Sequence, residues 1–248
     1  MVEGLERFRE YFREYTDQYV LIGGTACTVC FQKNNISFRA TKDFDMVLMV
    51  EALSKEFGER FWEFINDGGY RNKVRSSGTP QFYRFDRPAN PGFPYMIELF
   101  ANTRLTLKAS QEISPIHIDD SIKSLSAILL DWSYYQLFME GKTVIDDLSV
   151  LKPSYLIPFK ARAWLDLNDR RQQGEHVDSR DIRKHRNDII RLVSELSLDN
   201  CVLPQEVKKD VKRFSDMMQL TDQDIRSLGI RNVAAADISL LLQKVYYL

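Results

Sequence analysis

Tyr19-Val-Leu-Ile-Gly-Gly-Thr25, followed a helix's length later by Asp43-Phe-Asp-Met-Val-Leu-Met-Val50, decides the fold of this chain. Four apolar residues stopped by two glycines read as a short buried strand. The segment from about Thr25 to Lys33, ended by Asn34-Asn35, reads as a helix, and residues 43–50 read as a second strand. Glycines at a strand-to-helix turn let backbone approach an anion closely, and the helix start offers N–H groups to phosphate oxygen. Thr25 adds a hydroxyl. Asp43 and Asp45 are two apart on a strand, so their side chains leave the same face. Neighbouring carboxylates repel unless a cation lies between them, and a hard cation such as Mg²⁺ takes oxygen ligands.

Working outward, Leu5, Phe8, Tyr11, Phe12 and Tyr15 mark an amphipathic helix ahead of the first strand. A helix from about Ser54 to Asn66 ends at Gly68-Gly69, a natural C-terminal cap. QFYRFD (81–86) and YMIELF (95–100) read as strands joined through RPANPGFP into a hairpin. Glu98 stands there among Met96, Ile97, Leu99 and Phe100, and a carboxylate so placed is costly without a partner. Two partners stay open: a metal shared with Asp43 and Asp45, or an arginine such as Arg84 or Arg104. Residues 122–130 and 142–151 are expected as strands flanking a short helix near 134–139. After Pro153 only helical patterns follow, at about 154–170, 178–196, 205–218 and, interrupted, 222–246. The expected architecture is an α/β (α+β) domain with a mixed sheet over residues 1–152, then an all-α helical bundle over 153–248.

With 248 residues, 44% hydrophobic and 28% charged, the composition is that of a globular protein with a core and excludes wholesale disorder. A formal net charge of −1 excludes a protein that coats nucleic acid through bulk positive charge. No apolar run reaches the ~20 residues of a membrane span. The charged N-terminus is not a signal peptide, and three cysteines make no disulfide framework, so the expected location is cytoplasmic with no membrane partner. Cys27, Cys30 and Cys201 with His117, His176 and His185 are a poor set for zinc, and none is expected.

In the helical half, Leu156, Phe159, Ala163, Trp164 and Leu167 form an apolar face with Lys160 near its middle. A lysine there must snorkel, pair, or meet an anionic ligand. If the ligand is its partner, removing Lys160 costs little stability. Asp181, Lys184 and Asp188 share a flank of the next helix, either as a solvated salt-bridged stripe or as a ligand-contacting wall.

LIGGTA, FRATKDFDMVL and YMIELF together are similar to the signature of the polymerase-β-type nucleotidyltransferase superfamily. Arg39-Ala-Thr-Lys-Asp43-Phe-Asp45 resembles the R-x-T-x-D-x-D run of its toxin-like AbiEii/AbiGii branch. LIPFKARAWLDL and DSRDIRKHRNDIIRL resemble that branch's lysine helix and K-D-x-x-D helix, so the resemblance spans about residues 18–195. It implies transfer of a nucleoside monophosphate from an NTP to a hydroxyl, with release of pyrophosphate. Asp43, Asp45 and Glu98 would be catalytic and would hold Mg²⁺ or Mn²⁺. Gly23, Gly24, Thr25, Lys160, Lys184 and Asp188 would contact nucleotide, in a cleft between the two domains. The implied acceptor is a tRNA or RNA end or a protein side chain, and the implied partner a cognate antitoxin. Two other readings stay open: a nucleotidyltransferase fold kept for binding or regulation, and a small-molecule, aminoglycoside-like nucleotidyltransferase.

Overall fold

A computed structural model describes residues 2–49, 51–74, 80–100, 108–109, 111–112 and 131–248. The strand expected at 122–130 and Arg104 lie outside them. The chain divides into two compact units, Met1–Ser126 with Lys142–Leu151, and Ala127–Gly141 with Lys152–Leu248.

The first unit is built on β1 (Tyr19–Ile22), β2 (Asp43–Leu48), β3 (Arg71–Val74), β4 (Pro80–Asp86), β5 (Met96–Phe100), β8 (Lys142–Ile145) and β9 (Leu148–Leu151). These form one mixed sheet in the order β3-β4-β5-β2-β1-β9-β8. β2 runs parallel to β5 and β1 parallel to β9, and the other neighbours are antiparallel. β6 (Lys108–Ala109) and β7 (Gln111–Glu112) make a separate two-residue ladder.

Side chains alternate across a strand, so β1 and β2 offer Tyr19, Leu21, Phe44, Met46 and Leu48 to one face. Helices α1 (Leu5–Phe12) and α3 (Lys55–Gly68) bring Phe8, Phe12, Phe57 and Phe64 into the aromatic core with Tyr19 and Phe44. Phe8 packs 5.3 Å from Tyr19 and 5.4 Å from Phe44, and Phe12 packs 5.3 Å from Phe64. Tilted and edge-on contacts of this kind add to the burial of large apolar area. The Ser54 hydroxyl caps α3 by accepting from the Phe57 amide, and Gly69 ends it in the left-handed conformation.

Helix α2 spans Gly23–Lys33, so the two glycines form its first turn instead of preceding it. The β4–β5 hairpin is present, whereas β3 had no sequence signal because Arg-Asn-Lys-Val lacks apolar alternation. Residues 142–151 are two strands rather than one. Asp146 and Asp147 both take positive φ, 48° and 59°, which closes a two-residue hairpin between Ile145 and Leu148.

The second unit contains α4 (Trp132–Glu140), α5 (Pro153–Gln172), α6 (Ser179–Glu195), α7 (Gln205–Met217), α8 (Asp222–Ser227) and α9 (Ala235–Tyr246). Helix α4 belongs here, although it precedes the β8–β9 hairpin of the sheet in the chain. The Tyr134 hydroxyl donates to Asp210 of α7 at 2.9 Å, and its ring meets Phe159 of α5 edge-on at 5.4 Å. Pro158 lies inside α5 and removes the N–H that would bond the Ser154 carbonyl. The buried Tyr246 hydroxyl of α9 donates to that carbonyl at 2.6 Å, so the proline's gap is filled by tertiary structure. Arg213 of α7 makes two bonds to Asp169 of α5, at 2.6 and 2.9 Å, and holds that carboxyl below its usual range. Among the described residues no helix is long and apolar enough to cross a membrane.

Candidate active site

The sheet register sets out the candidate site. Arg84 of β4 lies opposite Glu98 of β5, Glu98 opposite Asp45 of β2, and Asp45 opposite Ile22 of β1. One residue-pair further along, Asp86 faces Met96 and Met96 faces Asp43. Paired positions share a sheet face, so Asp43, Asp45 and Glu98 all leave the face opposite the Phe44 aromatic core. Adjacent strands place the Asp45 and Glu98 backbones about 4.8 Å apart. The same-face expectation for Asp43 and Asp45, and the placement of the Glu98 strand beside theirs, agree with this register.

Gly23 brings the helix start against this row. Its φ is +64°, and a Cβ there would lie 2.0 Å from Asp45 Oδ2. Only glycine permits both the backbone conformation and the close approach of that carboxylate. At Gly24 a Cβ would lie 2.6 Å from Thr41 Oγ1 and 3.4 Å from Arg39 Nη2. The run from Arg39 to Asp45 therefore folds back over the glycines that open α2. The Thr25 side chain is fully buried and its hydroxyl donates to the Asp43 carbonyl at 2.7 Å, which fixes the start of β2 to the helix.

Of the two partners open to Glu98, the structure places the arginine. Arg84 contacts Glu98 Oε1 through both Nε and Nη2, with the two side chains 16% and 12% exposed. Across the sheet the row thus reads guanidinium, carboxylate, carboxylate, glycine. Among the described residues no group of three or more His, Cys, Asp and Glu side chains is gathered closely enough to hold a metal ion. The donor set of the row is nonetheless all oxygen and carries excess negative charge at Asp45, so its chemistry fits Mg²⁺ or Mn²⁺ and not zinc.

In the second unit Lys160 and Asp188 come together. Lys160 Nζ donates to Asp188 Oδ2 at 2.8 Å, with side chains only 6% and 1% exposed. The apolar face around Lys160 is thereby explained by an internal counter-charge on α6. The expectation that removing this lysine costs little stability is reversed, because its loss strands a buried carboxylate. Lys184, one turn before Asp188, is exposed. The three cysteines are free and buried, and burial pushes the Cys30 thiol up, away from reactivity.

Sequence reasoning did not single out Asp86, Arg39 or Thr41 as neighbours of the site. For Asp86 the signal was available, since alternation through QFYRFD puts Arg84 and Asp86 on one face and the hairpin sets them against Glu98 and Met96. No protein-family model, curated protein or solved structure matches the chain, so the functional reading rests on the residues themselves.

Proposed function

We propose that this protein is a nucleotidyltransferase of the polymerase-β type, with the first unit as its catalytic domain and the second as a helical bundle. The observation that carries the reading is the row itself. Asp45 stands beside Glu98 in a parallel strand pair, Asp43 shares their face, and the Asp45 carboxylate packs on Gly23 at the start of α2. Asp43, Asp45 and Glu98 would hold Mg²⁺ or Mn²⁺, which when bound supplies neutralisation of phosphate charge. The first-turn N–H groups of α2 would receive anionic oxygen of the triphosphate, where helix geometry presents unpaired donors. Glu98 would accept the proton of the acceptor hydroxyl. That oxygen then bonds to the α-phosphorus as the bond to the pyrophosphate oxygen breaks. Lys184, exposed on α6, remains a nucleotide contact in this proposal. The acceptor is a tRNA or RNA end or a protein side chain, and the branch resemblance adds an antitoxin partner.

A second reading has its own support. Arg84 already neutralises Glu98, as it would in a protein that keeps this fold for binding alone. Incubation with each α-labelled NTP, Mg²⁺ and either total tRNA or a cell lysate separates the two. Label carried to an acceptor by the parent and not by Asp45→Asn establishes transfer. Nucleotide binding without label transfer under every NTP establishes the binding protein.

A further inference from the structure

Arg84 is the one side chain of the row that the proposed chemistry does not use. It sits in register with Glu98, and both Nε and Nη2 converge on the single oxygen Oε1. A guanidinium stays charged throughout the accessible pH range, so this counter-ion cannot be removed by titration. The other neighbour of Glu98 across the sheet is Asp45, which bears the same charge as Glu98. In the cation-free protein the row therefore contains one fixed positive charge, and it is spent on the carboxylate that a divalent ion would need. We propose that Arg84 is a built-in competitor of the divalent cation, holding Glu98 until the ion displaces it and so weakening loading of the empty site. This inference rests on the nucleotidyltransferase reading, and it makes Arg84 a positioning residue acting through Glu98.

Competition for one oxygen has a definite signature. Taking away the arginine must strengthen cation binding, whereas a purely structural arginine would leave binding unchanged or weaken it. Free Mn²⁺ is measured by electron paramagnetic resonance during titration of the full chain as parent, Arg84→Met, Arg84→Lys, Asp45→Asn and the Arg84→Met/Asp45→Asn double variant. Circular dichroism establishes the folded fraction of each. The proposal predicts at least tenfold tighter Mn²⁺ binding by Arg84→Met, with loss of binding whenever Asp45 is replaced. Arg84→Lys keeps the charge but not the two-nitrogen contact, so its affinity should fall between parent and Arg84→Met. It serves alone if the methionine variant does not fold. Asp45-dependent binding that Arg84→Met leaves equal or weaker, or an Arg84→Lys affinity equal to the parent's, overturns the inference while the metal site stands. Absence of Asp45-dependent Mn²⁺ binding in every Arg84 background overturns the metal site as well.

Discussion

Two ion pairs, one in each unit, invite comparison. Lys160–Asp188 is a closed pair between two helices, with both side chains almost wholly removed from water. Arg84–Glu98 lies on a sheet face where Glu98 also stands beside Asp45, so its charges do not cancel locally. Burial raises the penalty for separating charges, and the first pair is therefore bound to the fold. The second pair leaves negative charge in excess at the point where a strand, a glycine-opened helix and the Arg39–Asp45 run meet. Ionic chemistry at a buried position thus marks structure in one unit and a candidate site in the other. What separates them is whether the neighbours complete the charge balance.

The largest stability effect should come from the closed pair. Lys160→Met leaves Asp188 buried without its partner and should destabilise the protein by about 3–5 kcal/mol in urea unfolding. Lys160→Met with Asp188→Leu should recover most of that loss, because an apolar replacement of a buried pair is often neutral. A parent-like single variant would show that water reaches the pair. Next in size is Gly23→Ala. A side chain at φ +64° costs about 1–3 kcal/mol. It must also move the Asp45 carboxylate, so nucleotide transfer should fall further than stability does. Equal losses in both would make the glycine merely structural. Lys184→Ala, on an exposed helix surface, should change stability by no more than about 0.5 kcal/mol. It should nevertheless weaken NTP binding several-fold in a fluorescence titration, and unchanged binding removes Lys184 from the contacts.

The smallest effect concerns pH. Asp178 caps α6, and the Arg180 side chain and then the Arg180 amide hold its carboxyl down at about 2. A depressed carboxyl contributes stability that is complete above the unfolded value of about 4 and disappears as pH falls through the folded one. An NMR titration of Asp178 should therefore give a midpoint near 2. A midpoint near 4 would remove that contribution.

The parts of this molecule that were legible in the sequence are those written in local pattern. Alternation and glycine stops located β1, β2, β4 and β5, and three-and-four spacing located the helices after Pro153. The same-face placement of Asp43 and Asp45 follows from strand geometry alone. Partner choice was not legible. Whether Glu98 meets a metal or Arg84 depends on the hairpin register, and whether Lys160 meets a ligand or Asp188 depends on how two helices pack. The assignment of Trp132–Glu140 to the helical unit was hidden for a related reason. The chain leaves that unit at Gly141, adds the β8–β9 hairpin to the sheet, and returns at Lys152. The Asp146-Asp147 turn split an apparent single strand because two aspartates adopted a conformation more often left to Asn-Gly.

The central claim is that the carboxylate row performs chemistry while the closed pair holds structure. Transfer of label from α-labelled NTP, measured per folded molecule for Asp45→Asn and Lys160→Met against the parent, tests it most directly. The account predicts that Asp45→Asn loses transfer by about 100-fold or more, the scale expected when a key electrostatic group is removed, with parent-like unfolding. Lys160→Met should unfold more easily yet retain transfer in its folded fraction. Transfer by Asp45→Asn at the parent's rate would contradict the account.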